Sequence, residues 1–191
     1  MKTNIELYDD RPIENVLGTE MFRPEETVLI CPQEVAEDKE LHRSMRKYFE
    51  YRHIPVKLTF VAASLLDAAK VEKTLKKVLD THEDCAIDIA GGSEAALFAA
   101  GAISGDTPVY TYSRKRNMFF EIKNAPFARS LPCTVRLDAK SCFLMAGGTL
   151  LPRCTTPLTW ACPPTTRFRC TSPIRSPSCL ARWCPSGSSA S

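Results

Sequence analysis

Four times between residues 3 and 103, a run of strand length is followed by a segment whose apolar residues recur at helical spacing. The strand-like runs are TNIELY (3–8), ETVLIC (26–31), VKLTFVAA (56–63) and CAIDIA (85–90). The helix-like segments span 9–22, 37–53, 65–82 and 93–103. Such alternation leaves few architectures: parallel strands joined by right-handed crossovers, with helices on both faces. The simplest doubly wound strand order is 3-2-1-4. TPVYTYS (107–113) and NMFFEIK (117–123), joined across RKR, extend the sheet as a hairpin beyond strand 4. CTVRL (133–137) predicts one more strand, and DAKSCFLMAGG (138–148) a capped helical turn or two. The expected class is therefore α/β, a Rossmann-like and mainly parallel sheet. Its order reverses between strands 1 and 4, and a ligand crevice is expected there, at the carboxyl ends of the strands.

Local chemistry supports these elements. Asp10 is placed to cap the first helix, and Pro12 falls in its first turn. Leu41, Met45, Tyr48 and Phe49 make one apolar stripe, and Leu65, Ala68, Val71, Leu75 and Val78 another. The fourth helix is almost wholly apolar, from Ala95 through Phe98 to Ile103. A helix of that kind buries more than one side, within its domain or against a partner subunit.

Composition divides the chain near residue 148. Met1–Gly148 carries 20 Lys and Arg against 22 Asp and Glu, so this body gives no global reason to expect nucleic-acid binding. No apolar run approaches a membrane span, and Met1-Lys2-Thr3 leads into the first strand without a secretory pattern. Cys31, Cys85, Cys133 and Cys142 stand singly among apolar residues and read as buried free thiols of a reducing cytoplasm.

Residues 149–191 are a different kind of sequence, with five Arg, no Lys, no acidic residue, five Cys, both Trp and seven of the 14 Pro. A metal knuckle there would need close cysteine pairs, but the cysteines fall at 154, 162, 170, 179 and 184. A disulfide-stapled module conflicts with a cytoplasmic body. A disordered linker and an out-of-frame translation of a GC-rich message remain as readings. The expected organisation is a folded domain over 1–148 and a tail without a core over 149–191.

The loops after the strands carry the candidate chemistry. Gly91-Gly92 turns strand 4 into a helix whose first N–H groups and positive dipole end can meet an anion. A tight strand-to-helix turn explains the same glycines. The segment lacks both the dinucleotide G-x-G-x-x-G and the P-loop G-K-[ST]. Asp9, Asp10 and Arg11 follow strand 1: a helix cap, or carboxylates that meet a ribose or base. Arg114, Lys115 and Arg116 follow strand 5: a solvated hairpin tip, or partners for phosphates. No catalytic constellation, metal site or resident cofactor is visible. His42, His53 and His82 are dispersed and expected at the surface.

NIELYDDRPIENVLGTEMFRPEETVLI followed by CAIDIAGGSEAALFAAG resembles the amino-terminal half of a family in which a CARF domain (CRISPR-associated Rossmann fold) precedes a PD-(D/E)XK nuclease. The resemblance covers residues 3 to 148. It implies a homodimer whose two crevices face each other and bind a cyclic oligoadenylate, which switches on the nuclease. Where the family reads Thr-Gly-Gly-Thr-Lys, this chain has Ala90-Gly91-Gly92-Ser93-Glu94, losing one hydroxyl and reversing one charge. An acid-free tail cannot supply the metal-binding Asp and Glu of the nuclease, so the expectation is a sensing domain without that effector and without enzymatic activity. A purely structural dimerisation module with a relic crevice and a small Rossmann-like enzyme are the alternatives.

Overall fold

In the computed structural model, strand β1 (Thr3–Leu7) lies in the middle of a seven-stranded sheet. It pairs in parallel with β2 (Glu26–Cys31) on one side and β4 (Cys85–Asp88) on the other. The full order is β3-β2-β1-β4-β5-β6-β7, with β3 spanning Lys57–Ala62 and β5 Val109–Ser113. The first five strands run parallel, and β6 (Met118–Lys123) and β7 (Ser130–Pro132) return antiparallel. The expected doubly wound order and hairpin extension are what the chain forms. The structure describes residues 1–125, 127 and 129–147, and the expectations about the tail at 149–191 lie outside them.

Both faces of the sheet are covered. Ile5 sits between Val28 and Ile87 in register. These three pack with Val71, Leu75 and Val78 of α4 (Ala68–Thr81) and Ala96, Ala99 and Ala100 of α5 (Glu94–Ile103). The opposite face carries α1 (Glu14–Phe22), α3 (Lys39–Tyr51) and α6 (Ala139–Met145), through Val16, Met45, Tyr48, Phe49 and Leu144. Each fully buried aliphatic or aromatic side chain contributes about 1.5–3 kcal/mol, so these two layers hold the strand ends in place.

Several boundaries differ from the expectation. The first helix begins at Glu14 rather than 9, and Asp10 does not cap it; the cap position is Ile13, with no side-chain bond. The preceding residues form their own turn instead. Asn15 accepts from the Asp9 N–H at 2.8 Å and donates back to the Asp9 carbonyl at 2.7 Å. The helix expected at 37–53 is α3 and starts at Lys39, because Asp38 caps it by accepting from the Glu40 and Leu41 N–H groups; a short helix not anticipated, α2 (Gln33–Glu37), precedes it. The last strand is Ser130–Pro132, not 133–137. Pro132 already faces Met118, the first residue of β6, so the ladder ends there, and Cys133 bonds instead to Asn117 of the hairpin turn, its N–H donating to the Asn117 carbonyl at 3.0 Å. Cys142 is exposed, on the outer side of α6, whereas Cys31 and Cys133 are buried.

Candidate functional site

The loops after β1, β2, β3 and β4 emerge at one edge of the sheet and enclose a crevice of about 1010 Å³. The β1 loop supplies Tyr8, Asp9, Asp10 and Arg11; the β4 loop supplies Gly92 and Ser93. The far wall is the β3–α4 connection and the first turns of α4, with Ser64, Leu65, Leu66, Lys70, Lys73 and Thr74.

The Gly-Gly turn is held by the end of β1. A Cβ on Gly91 would overlap the Leu7 carbonyl oxygen and come within 2.9 Å of Asp9 Cβ. Gly92 has a φ of +92°, and its N–H donates to the Tyr8 carbonyl at 2.9 Å. That N–H is therefore spent on the fold. The Ser93 hydroxyl is also engaged: it donates to the Leu65 carbonyl and accepts from the Ala96 N–H, capping α5. What the turn still presents is the first turn of α5, where the Glu94 and Ala95 N–H groups precede the first intrahelical bond. The exposed Glu94 carboxylate stands at the same end.

Across the crevice mouth, Arg11 is gripped by two carboxylates. Its guanidinium donates to Asp9 at 2.7 and 2.8 Å and lies 2.7 Å from Glu14. The hydrogen bonds from Arg11 hold Asp9 below the usual carboxylate range, whereas burial raises Glu14 despite the same guanidinium. On the α4 side, Lys70 pairs with Asp67 at 3.3 Å. Lys73 lines the crevice with no carboxylate engaging it among the described residues.

The anticipated residues are thus brought together in part. Asp9, Asp10, Arg11, Gly92 and Ser93 line one crevice; Ala90 and Gly91 lie behind its wall, and Glu94 stands beside it. Arg114, Lys115 and Arg116 are exposed at the tip of the β5–β6 hairpin and do not line it. Arg114 is near enough for its charge to favour the ionised forms of Asp9 and Glu14, though burial still raises Glu14, while Arg116 folds back with its guanidinium 5.6 Å from the Phe120 ring centre. Lys70, Lys73 and Thr74 were not anticipated. The signal for them is the rule that placed the other loops, since β3 ends at the same edge.

The chain shares its fold with solved structures. Can2 from Sulfobacillus thermosulfidooxidans, in complex with cyclic tetra-adenylate, matches with a TM-score of 0.65 at 16% identity over 75% of this chain and 40% of that one. Protein VC1899 from Vibrio cholerae matches with a TM-score of 0.61 at 10% identity, over 75% and 38% of the two chains. A type III CRISPR defence DNA nuclease activated by cyclic oligoadenylate matches with a TM-score of 0.50 at 10% identity, over 75% and 23%. The chain thus spans well under two thirds of each of these proteins. No protein-family model and no curated protein sequence matches it. The Rossmann-like fold that the CARF resemblance implied is the fold the chain has.

Proposed function

We propose that residues 1–148 form a dimeric sensing domain that binds a cyclic oligoadenylate, or a closely related anionic nucleotide, in the crevice described above. The observation that carries the reading is the crevice itself: about 1010 Å³ at the carboxyl ends of parallel strands, on a fold shared with a protein solved with cyclic tetra-adenylate bound. That volume is at the top of the roughly 300–1,000 Å³ range of small-molecule sites, larger than one nucleotide requires. The first turn of α5 and Lys73 offer positive potential to phosphates. Tyr8 offers an aromatic face to a base.

Support for the dimer comes from α5. Phe98 is 74% exposed beside the open face at Gly101 and Ala102, and Leu66 at the crevice rim is 85% exposed. No helix among the described residues is long and apolar enough to cross a membrane.

Glu94 opposes an anion at the helix start, so binding is expected to be weak and strongest at low salt. Titration calorimetry of the full chain with cyclic tetra-adenylate tests this. Glu94→Lys should tighten binding by about 1–3 kcal/mol, the range of a charge-assisted contact. Absence of heat from both proteins, with the dimer intact, would favour a structural dimerisation module. Turnover of the nucleotide would favour an enzyme.

A further inference from the structure

A second polar constellation lies under the Gly-Gly turn, inside the sheet. Glu6 and Asp88 stand opposite each other in the register of β1 and β4, and both are buried, at 2% and 3% exposure. Their carboxyl groups converge on Gly18 of α1. A Cβ there would overlap Asp88 Oδ2 and lie 2.9 Å from the Tyr110 hydroxyl and 3.2 Å from Glu6 Oε1.

Hydrogen bonds link the two acids. The Tyr110 hydroxyl, which also contacts the Asp88 carboxyl, donates to Asn4 Oδ1 at 2.8 Å. Asn4 Nδ2 donates to Glu6 Oε1 at 2.8 Å, and the Thr19 hydroxyl donates to the same oxygen at 2.9 Å. Glu6 Oε2 is buried with no partner among the described residues. On its other oxygen, Asp88 accepts from the Ala90 N–H at 2.8 Å, directly before Gly91. The buried acid thus holds the first residue of the turn.

Two carboxylates this close and this dry do not both ionise near neutrality. Burial raises Asp88 to about 7, and burial together with the charge of Asp88 raises Glu6 well above the usual range. The groups facing Asp88 are Glu6 and Asn4 from β1, Glu14, Gly18 and Thr19 from α1, and Tyr110 from β5. None is a cation, and the guanidinium of Arg11 is already committed to Asp9 and Glu14 at the surface.

We propose that Asp88 is the positioning residue of the Gly91–Gly92 turn, and that whether it carries a proton sets how firmly the turn is anchored. Ionised, Asp88 accepts a charge-assisted bond from the Ala90 N–H; protonated, it accepts an ordinary one, and the turn is held less tightly. The turn leads directly into α5, so a buried proton is coupled to the crevice wall. As a route to ligand control this rests on the nucleotide-binding reading; the anchoring does not.

The test is therefore made without ligand, on the full chain labelled with nitrogen-15. The Ala90 amide proton is followed by NMR between about pH 5 and about pH 9. It should move downfield as pH rises, with a midpoint at about 7. Asp88→Asn keeps an oxygen for the Ala90 N–H and an NH₂ for Tyr110 but cannot ionise, so its trace should be flat. Glu6 is not among the groups that raise Asp88, so Glu6→Gln should keep a titration with its midpoint at about 7. A flat trace in the unmodified chain, a titration that persists in Asp88→Asn, or one that is lost in Glu6→Gln overturns the proposal. Failure to bind cyclic tetra-adenylate would overturn the sensing reading and leave these traces unchanged.

Discussion

At Gly18 the missing side chain lets the carboxyl group of Asp88 rest on a helix backbone. Glycine inside a helix normally costs about 0.5–1 kcal/mol relative to alanine. On an exposed helix, Gly→Ala would therefore stabilise. Here the added methyl meets Asp88, with Tyr110 and Glu6 close behind, so Gly18→Ala should instead destabilise by about 1–3 kcal/mol, as overpacking does. Gly91→Ala should cost more, because its methyl meets the backbone carbonyl of Leu7, which cannot rotate away. Urea denaturation of both variants gives the ranking. A stabilised Gly18→Ala would mean the carboxyl group has room to move. For Gly91 the fold alone demands glycine, and any ligand works with a turn built for that reason.

The α5 helix shows how one element divides its faces. Ala96, Ala99 and Ala100 pack inward against α4 and the sheet, while Phe98 and Ala102 face outward four residues apart. The sequence presents the whole helix as apolar; its packing separates the part the domain needs from the part left uncovered. Ala102→Arg should therefore keep the fold and weaken the proposed self-association, because at a dimer contact on this face it would bury an unpaired charge. Ala99→Arg should unfold the domain, since Ala99 is 1% exposed. Sedimentation velocity with circular dichroism separates the two outcomes. An undiminished dimer in Ala102→Arg would place the subunit contact elsewhere.

Across the whole molecule, the buried acids give stability a definite pH dependence. Asp88 has a folded value of about 7, above its unfolded value, so the native state binds more protons over the interval between them. Its contribution to stability is fully present below the unfolded value and is lost as pH rises towards the folded one. Asp138, held at about 2 by bonds from Tyr51 and Ser141 that outweigh its burial, acts oppositely: its contribution is present above its unfolded value and is lost as pH falls. Thermal melts should show the unmodified chain losing stability between about pH 4 and about pH 7, with Asp88→Asn losing less. Equal slopes for the two proteins would assign the loss to other groups.

The alternation of strand and helix, the two-sided burial it requires and the edge where the loops gather were legible in the sequence, because periodicity is a local property and crossover handedness follows from chirality. That is why Asp9, Asp10, Arg11, Gly92 and Ser93 could be assigned to one crevice, with strand order alone as the guide. One further signal was present: Asn4 and Glu6 interrupt a central parallel strand, where both faces are buried and apolar residues are the rule. What they meet could not be read from the chain. The encounter of Glu6 with Asp88 depends on the register of β1 against β4, and a slip of one residue would turn either side chain to the other face. The approach of Lys73 to the crevice and the capture of Arg11 by Asp9 and Glu14 depend likewise on how a helix is seated and how a turn closes. Sequence patterning determined which residues face inward and at which edge the loops meet; only tertiary packing decided which charges are spent on each other and which remain for a ligand, because Coulomb and hydrogen-bond energies depend on distances of a few ångströms that no local pattern encodes.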